Sequence, residues 1–512
     1  MLSWMQRGAL AAVIALLAPV SASVYAATVD QPSIASFSPT SGPAGTVVVV
    51  TGAGLAQIGA ATVGGVLARA TSPRGGQVRV RVLAGAKSGV ITVANSVFTA
   101  TSSARFTVTT STPLPPPPPL PPPPPPSAAL SIQVQGNQLL NQNGKPIQLR
   151  GVNVSGLESV AIEGWDPSDP FGGWKPQWSA LQAWKINVVR FPLNEASWLG
   201  LTTYDHDGRP RKSDPGANYR ATLTQAIKEA NAAGLYVILD MHWSGPKVRV
   251  PGQANAVPQT PFEGYGAQNG MADADHALAF WTSVANTFKN NPSVLFELFN
   301  EPYFDFVQTP TGNSADVQWQ VWRNGGTMTR YRNGATRAAD GGDPLYNWQS
   351  AGMQAMLDTV RATGAKNVVL VGGVGYAAEM SNWYANRPSD PLNQMAAVWH
   401  AYENTLQGRV GEPAWGMQEY GFVDGIRLAG IPVVITELGD RNAPGTVGAP
   451  FAASVMNWAD GHGASYLGWT WNPWTGTENQ LIKDASGTPT DGYGQYFKQH
   501  LICRASGAAS CP

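Results

Sequence analysis

Leu298-Phe299-Asn300-Glu301-Pro302 and Val433-Val434-Ile435-Thr436-Glu437 share one pattern, a greasy, β-rich run that stops on a glutamate. Short apolar runs bounded by turn residues read as strands covered on both faces. With these two, the C-terminal part of the chain holds eight such runs, at 148–153, 187–193, 236–241, 294–300, 368–372, 397–401, 433–437 and 465–471. Amphipathic stretches such as 219–233, 274–289 and 349–363 separate them, and Leu223, Ile227 and Ala230 fall on one helical face. Strands alternating with helices imply βα units and a parallel sheet, and eight of them predict an α/β fold, a closed (β/α)₈ TIM barrel. The alternative is an open doubly wound sheet, which carries a glycine-rich phosphate turn after its first strand; Arg150-Gly151-Val152-Asn153 is not such a turn. Residues 131–147 predict a hairpin in front of the barrel, turning at Asn143-Gly144.

Upstream, residues 112–126 are nearly pure proline. Polyproline II is stiff and extended, at roughly 3.1 Å per residue, so residues 110–128 read as a spacer between two modules. Before it, residues 30–109 alternate β-branched residues with Gly, Ser and Thr, with strand candidates at 47–51, 77–83, 90–93 and 105–109. Helical periodicity is missing there, which predicts a small β-sandwich. That module has no Trp or Tyr, which argues for a spacer or docking role and against a sugar-stacking face.

Residues 1–26 have the form of a secretory signal: Arg7, an apolar core over 8–20, and small residues around Val24-Tyr25-Ala26. A membrane-spanning helix needs about 20 apolar residues, and no later run is that long. The sequence therefore predicts a secreted protein whose mature form has no membrane segment. Cys503 and Cys511 are the only cysteines; they either close a small loop over the last helix or remain an unpaired tail. Lys+Arg and Asp+Glu are both 33, which leaves no long-range field to draw nucleic acid or an anionic membrane. Charged residues make up 13% of the chain against about 25% in ordinary soluble domains, while Trp reaches 18. An uncharged, indole-rich surface suits a neutral, hydroxyl-rich ligand.

Active sites of such barrels lie at the C-terminal ends of the strands. The polar residues ending these runs are Arg190, His242, Asn300-Glu301, His400 and Glu437, with Trp469 at the eighth. A single strand-end carboxylate is as readily a buried ion-pair partner. Two on opposite strands converge across the mouth, and glycosidic cleavage uses one carboxyl to protonate the leaving oxygen and another to attack. A strand-end Arg is often structural and a lone His more often a core residue; their joint placement at one rim favours the functional reading. Zinc-type spacings such as His-Glu-x-x-His are missing, so no metal and no cofactor is expected.

These motifs together resemble glycoside hydrolase family 5, over residues 131–502. Leu149-Arg150-Gly151-Val152-Asn153, Val189-Arg190, Asp240-Met241-His242, Asn300-Glu301-Pro302, His400-Ala401-Tyr402, Thr436-Glu437 and Trp469-Thr470-Trp471-Asn472-Pro473 carry the resemblance in order. The last motif, followed by Thr475-Gly476-Thr477, is similar to bacterial endoglucanases but places Trp474 where they commonly have Asn-Ser-Gly. The resemblance implies Glu301 as acid/base and Glu437 as nucleophile, in a retaining endo-β-1,4-glucanase. It implies that Arg190 favours the charged form of Glu437 and that Tyr402 hydrogen-bonds it. Asn300 would hold the sugar 2-hydroxyl, and His242 and His400 would orient around the cleavage subsite. In the first module, Phe37-Ser38-Pro39-Thr40-Ser41-Gly42-Pro43-Ala44-Gly45-Thr46 resembles IPT/TIG immunoglobulin-like domains.

Aromatic residues form a second constellation: Trp469, Trp471 and Trp474 after the eighth strand, Trp243 after the third and Trp198 after the second. Trp469 is the expected sugar platform, whereas Trp184, Trp281 and Trp458 read as packing between helices and barrel. Segments 155–178 and 303–347 are expected to wall a cleft. The expected partner is a β-1,4-glucan, bound by a monomer. A β-mannanase shares the same chemistry, and a non-catalytic polysaccharide-binding barrel would lack one carboxylate or the Arg.

Overall fold

The computed structural model describes residues 31–55, 58, 60–71, 77–83, 85–95, 98–109, 130–159, 175–201, 217–244, 247–249, 256–258, 269–305, 307–331, 344–402, 415–440, 449–473, 479–508 and 511. The signal-like segment 1–26, the proline-rich segment 110–128 and Trp474 lie outside them. The chain divides into two compact units, 1–120 and 121–512.

In the first unit Val47–Thr51 and Gln77–Arg81 pair antiparallel and alternate exposed and buried positions, so Val48, Val50, Val78 and Val80 point inward. Ala60–Val63 and Gly89–Ala94 supply the facing layer through Ala61, Val63, Ile91 and Val93. Val66–Thr71 joins the two layers: its first half pairs with Ala60–Val63 and its second half with Gln77–Arg81. A strand that changes partners in this way closes a sandwich over one core.

In the second unit, eight parallel strands form a closed barrel: Arg150–Asn153, Val188–Asn194, Tyr236–Trp243, Val294–Glu297, Val369–Gly372, Met395–Ala401, Val433–Leu438 and Ser465–Gly468. The last returns to the first, with Gly468 beside Val152. The predicted helices appear as Ala217–Ala232, Ala277–Phe288 and Met353–Ala362. The predicted hairpin has one strand more than expected, Ile132–Gln135, Gln138–Asn141 and Pro146–Ile147, because Gly136, at φ 59°, makes a second turn besides Gly144.

The two-residue period of a strand sorts the barrel side chains. Val188, Ile238, Leu295, Leu370, Val398 and Val434 form one buried cluster, while their neighbours Val189, Val237, Phe296, Val369, Ala397 and Ile435 join the helices in another. Two residues on from the first set stand Arg190, Asp240, Glu297, Gly372, His400 and Thr436. A polar layer thus caps the apolar interior at the C-terminal ends of the strands. Cys503 and Cys511 are bridged with their Cα atoms 5.7 Å apart, closing a loop behind the final helix, Tyr493–Ala505. Among the described residues no helix is long and apolar enough to cross a membrane.

Candidate active site

Arg190 is the hub of the polar layer and is fully buried. Its Nε and Nη2 donate to both oxygens of Glu297 at 2.8 and 2.9 Å, a two-pronged grip that suits the planar guanidinium. Nη1 donates to Glu437 Oε1 at 2.7 Å and to Asn153 Oδ1 at 2.9 Å; Nη2 also reaches Asn300 Oδ1 at 2.8 Å and Asp240 Oδ2 at 2.9 Å. Burial opposes its charge, but the carboxyl groups around it, Glu297 and Glu437 among them, outweigh that and hold Arg190 well above its ordinary value. Burial likewise works to raise Glu297, and Arg190 and His400 bring it below the usual carboxylate range.

His400 joins the two strand-end glutamates. Its Nδ1 lies 2.9 Å from Glu301 Oε1 and 3.7 Å from Glu437 Oε2. Its Nε2 lies 3.0 Å from Thr436 Oγ1, which donates to Glu297 Oε1 at 3.0 Å. Burial alone would keep the ring neutral; Glu437, Glu297 and Glu301 outweigh it and push His400 up to about 10. One oxygen of each of Glu301 and Glu437 and one His400 nitrogen all lie within 4.8 Å of one another. The two glutamates are not equivalent. Glu437 is gripped from both ends, with Tyr402 Oη donating to Oε2 at 2.6 Å, and its side chain is 4% exposed; that of Glu301 is 16% exposed.

His242 ends the third strand with Nδ1 2.7 Å from Asp240 Oδ2. Burial holds its ring below the ordinary histidine value. Trp469 stacks on it, centroids 5.5 Å apart and planes 4° apart, and the part-exposed Trp243 leans on it at 6.5 Å and 41°. The Trp469–Thr470 peptide is cis. Arg190, His242, Asn300, Glu301, His400, Tyr402, Glu437, Trp469 and Trp243 therefore gather at one rim.

Two indoles do not join them. Trp471 is 0% exposed and packs edge-on against Trp184 at 4.8 Å, so its ring presents no face to a sugar. Trp198 is equally buried, against Phe280 and Phe288. Both follow a strand, but their rings turn into the layer between helices and barrel. Trp184 and Trp281 pack there as expected.

The polar layer also holds residues that inspection of strand ends passed over, namely Glu297, Thr436 and the linking roles of Asp240 and Asn153. A signal was present: Glu297 is a carboxylate inside the greasy run Val294-Leu295-Phe296-Glu297-Leu298-Phe299. A metal ion would find two sets of three donors among the described residues, Glu301–His400–Glu437 and, elsewhere, Glu195–Asp273–His276.

A family model described as cellulase (glycosyl hydrolase family 5) matches residues 140–474. The chain belongs to glycosyl hydrolase family 5. An IPT/TIG domain model matches residues 32–109. The barrel and the sandwich are thus those expected from the sequence. An endoglucanase of Paenibacillus polymyxa is 22% identical over 374 residues, 68% of this chain and 82% of that one. An endoglucanase of Clostridium saccharobutylicum is 21% identical over 342 residues, 66% of this chain and 56% of that one. Endoglucanase C of Evansella cellulosilytica is 26% identical over 283 residues, 54% of this chain and 27% of that one. This chain thus spans little more than half of one of these relatives and about a quarter of another. Among solved structures, a β-glucanase of Saccharophagus degradans aligns with a TM-score of 0.47 at 22% identity, covering 73% of this chain and 94% of that one.

Proposed function

We propose that this family 5 glycoside hydrolase is an endo-acting β-1,4-glucanase that retains anomeric configuration, with Glu437 as nucleophile and Glu301 as acid/base. The observation that carries the reading is the approach of carboxylate oxygens of Glu301 and Glu437 to within 4.8 Å, around one imidazole. Retention goes with carboxyl groups about 5–5.5 Å apart, whereas inversion leaves room for a water at about 6.5–9.5 Å. The asymmetry of the pair supports this division of roles. Glu437, held by Arg190 and Tyr402, has its oxygens oriented for attack. Glu301 is the more open of the two and can reach the leaving oxygen.

In the first step Glu437 bonds to the anomeric carbon as the glycosidic bond breaks and Glu301 gives its proton to the departing sugar. Glu301 then takes a proton from water, whose oxygen displaces Glu437 and frees the second product. Asn300 directs its carbonyl oxygen to Arg190, which leaves its amide N–H groups to hold the sugar 2-hydroxyl. Trp469, backed by His242 and aided by Trp243, offers the face on which a pyranose stacks. Secretion fits the signal-like first 26 residues and the Cys503–Cys511 bridge, since disulfides persist in oxidising compartments. The substrate is taken by a monomer, the sandwich serving as a spacer or docking module.

The test is product analysis of the full chain on soluble β-glucan, xylan and galactomannan. Carboxymethyl cellulose should be cut fastest, and proton NMR of fresh products should show the β-anomer first. Faster release from galactomannan would make it a mannanase, and initial α-anomer would remove the nucleophile role of Glu437. Glu301→Gln and Glu437→Gln should each abolish most turnover while the fold survives.

A further inference from the structure

Asp240 sits in the polar layer with an unusual share of contacts. Its Oδ2 lies 2.9 Å from Arg190 Nη2 and 2.7 Å from His242 Nδ1, while Oδ1 is buried and has no hydrogen-bond partner among the described residues. A full carboxylate is poorly served there, because the charge on Oδ1 meets no donor. The charge balance points the same way. Among the described residues of this layer Arg190 and His400 are the cations; Arg190 meets Glu297, Glu437 and Asp240, and His400 meets Glu297 and Glu437. Glu301 enters the proposed reaction protonated. An ionised Asp240 would be a third buried anion, sharing the single guanidinium of Arg190 with Glu297 and Glu437.

We infer that Asp240 is kept as the neutral acid and donates its Oδ2–H to Nδ1 of His242, fixing the imidazole tautomer with its proton on Nε2. As a hydroxyl, Oδ2 can give that hydrogen bond while it lies 2.9 Å from Arg190 Nη2, whose two N–H groups already serve Glu297 and Asn300. Nε2–H, on the opposite edge of the ring, then becomes a donor beside the Trp469 platform and receives a sugar hydroxyl oxygen. Asp240 is thus a positioning residue, acting through His242. The groups facing Asp240 are Arg190, Glu297, His400 and Glu301; those facing His242 are Glu437, Arg190, Glu158 and Glu301. Burial drives the Asp240 carboxyl up and the His242 ring down, both in the direction of the neutral form. The identity of the hydroxyl partner rests on the glucanase reading; the position of the proton does not.

Imidazole nitrogen NMR on the histidine-labelled full chain without substrate reads the tautomer directly, with His242→Gln to assign the signal. The expected result is a protonated Nε2 and a bare Nδ1 between pH 5 and 8, with no titration of the Asp240 carboxyl carbon. A protonated Nδ1 with bare Nε2 would overturn the inference. Asp240→Asn supplies an amide N–H to Nδ1 and should keep the tautomer, with kcat/KM within about tenfold of wild type. Inversion of the tautomer in that variant would equally sink the idea. The wild-type spectrum decides the matter if the variant fails to fold. A protein that cut no β-glucan but showed Nε2–H would lose the glucanase reading alone.

Discussion

The hydroxyl of Tyr402 donates to Oε2 of Glu437 across 2.6 Å, while Arg190 takes the other oxygen of the same carboxylate. The phenol is itself buried beside negative charge, and burial, Glu437 and Glu301 all raise its pKa, so it stays a donor at every working pH. A hydrogen bond to a charged group is worth about 1.5–3 kcal/mol. Tyr402→Phe should therefore lower kcat roughly ten- to hundredfold with little change in KM or melting temperature. Steady-state kinetics on a soluble glucan checks it; a rise in KM alone would mean that Tyr402 serves the sugar and not the nucleophile.

Glu297 is fully buried, and it holds the guanidinium that orients Glu437. Removing one partner of a buried pair costs about 3–5 kcal/mol. Glu297→Gln should melt well below wild type, by about 10 °C on the usual scaling for large domains, and lose turnover as well. Normal stability with unchanged kcat would show that Arg190 does not depend on it.

Trp469 and Trp471 are separated by one residue and should fail differently. Trp469→Ala removes the stacking face, so KM should rise severalfold while the melting temperature holds. Trp471→Ala opens a cavity beside Trp184, at about 3–5 kcal/mol, and should act on stability with substrate affinity nearly unchanged. Thermal melts paired with binding of cello-oligosaccharides distinguish the two.

Stability should respond to pH with opposite signs at two sites. His400 has its folded value raised from 6.5 to about 10, so its contribution is complete below about pH 6.5 and fades as pH climbs towards 10. At Asp390 burial works upward, but the two-pronged Arg361 holds the carboxyl below 3.8; its contribution is present above that value and is lost as pH falls through the folded one. The melting-temperature gap between wild type and His400→Asn should narrow from pH 7 to 10. The gap to Asp390→Asn should close below about pH 4.

The barrel was legible because parallel strands buried on both faces leave long greasy runs, and a polar residue ending such a run is conspicuous. Glu301, Glu437, Arg190 and His400 were found that way. Glu297 was not, although Leu295 and Glu297 share a face by the two-residue period; only a strand whose inner face is already known reveals that the carboxylate enters the same layer as Arg190. Ring direction was the other blind spot. Trp198 and Trp471 stand where rim residues stand in sequence, but nothing local tells whether an indole after a strand turns to the mouth or back under a helix. That choice is made by distant partners such as Phe280 and Trp184.

Arg190, on the second strand, reaches side chains of the first, third, fourth and seventh through Asn153, Asp240, Glu297 and Glu437. Such a cross-tied mouth tolerates little piecemeal revision, since changing one spoke misaligns the others. Adaptation of this scaffold to other sugars should therefore come from segments outside the ring of spokes. In directed evolution for altered glycan preference, accepted substitutions should collect in those outer segments, and simultaneous exchanges would be needed before any appeared at the hub.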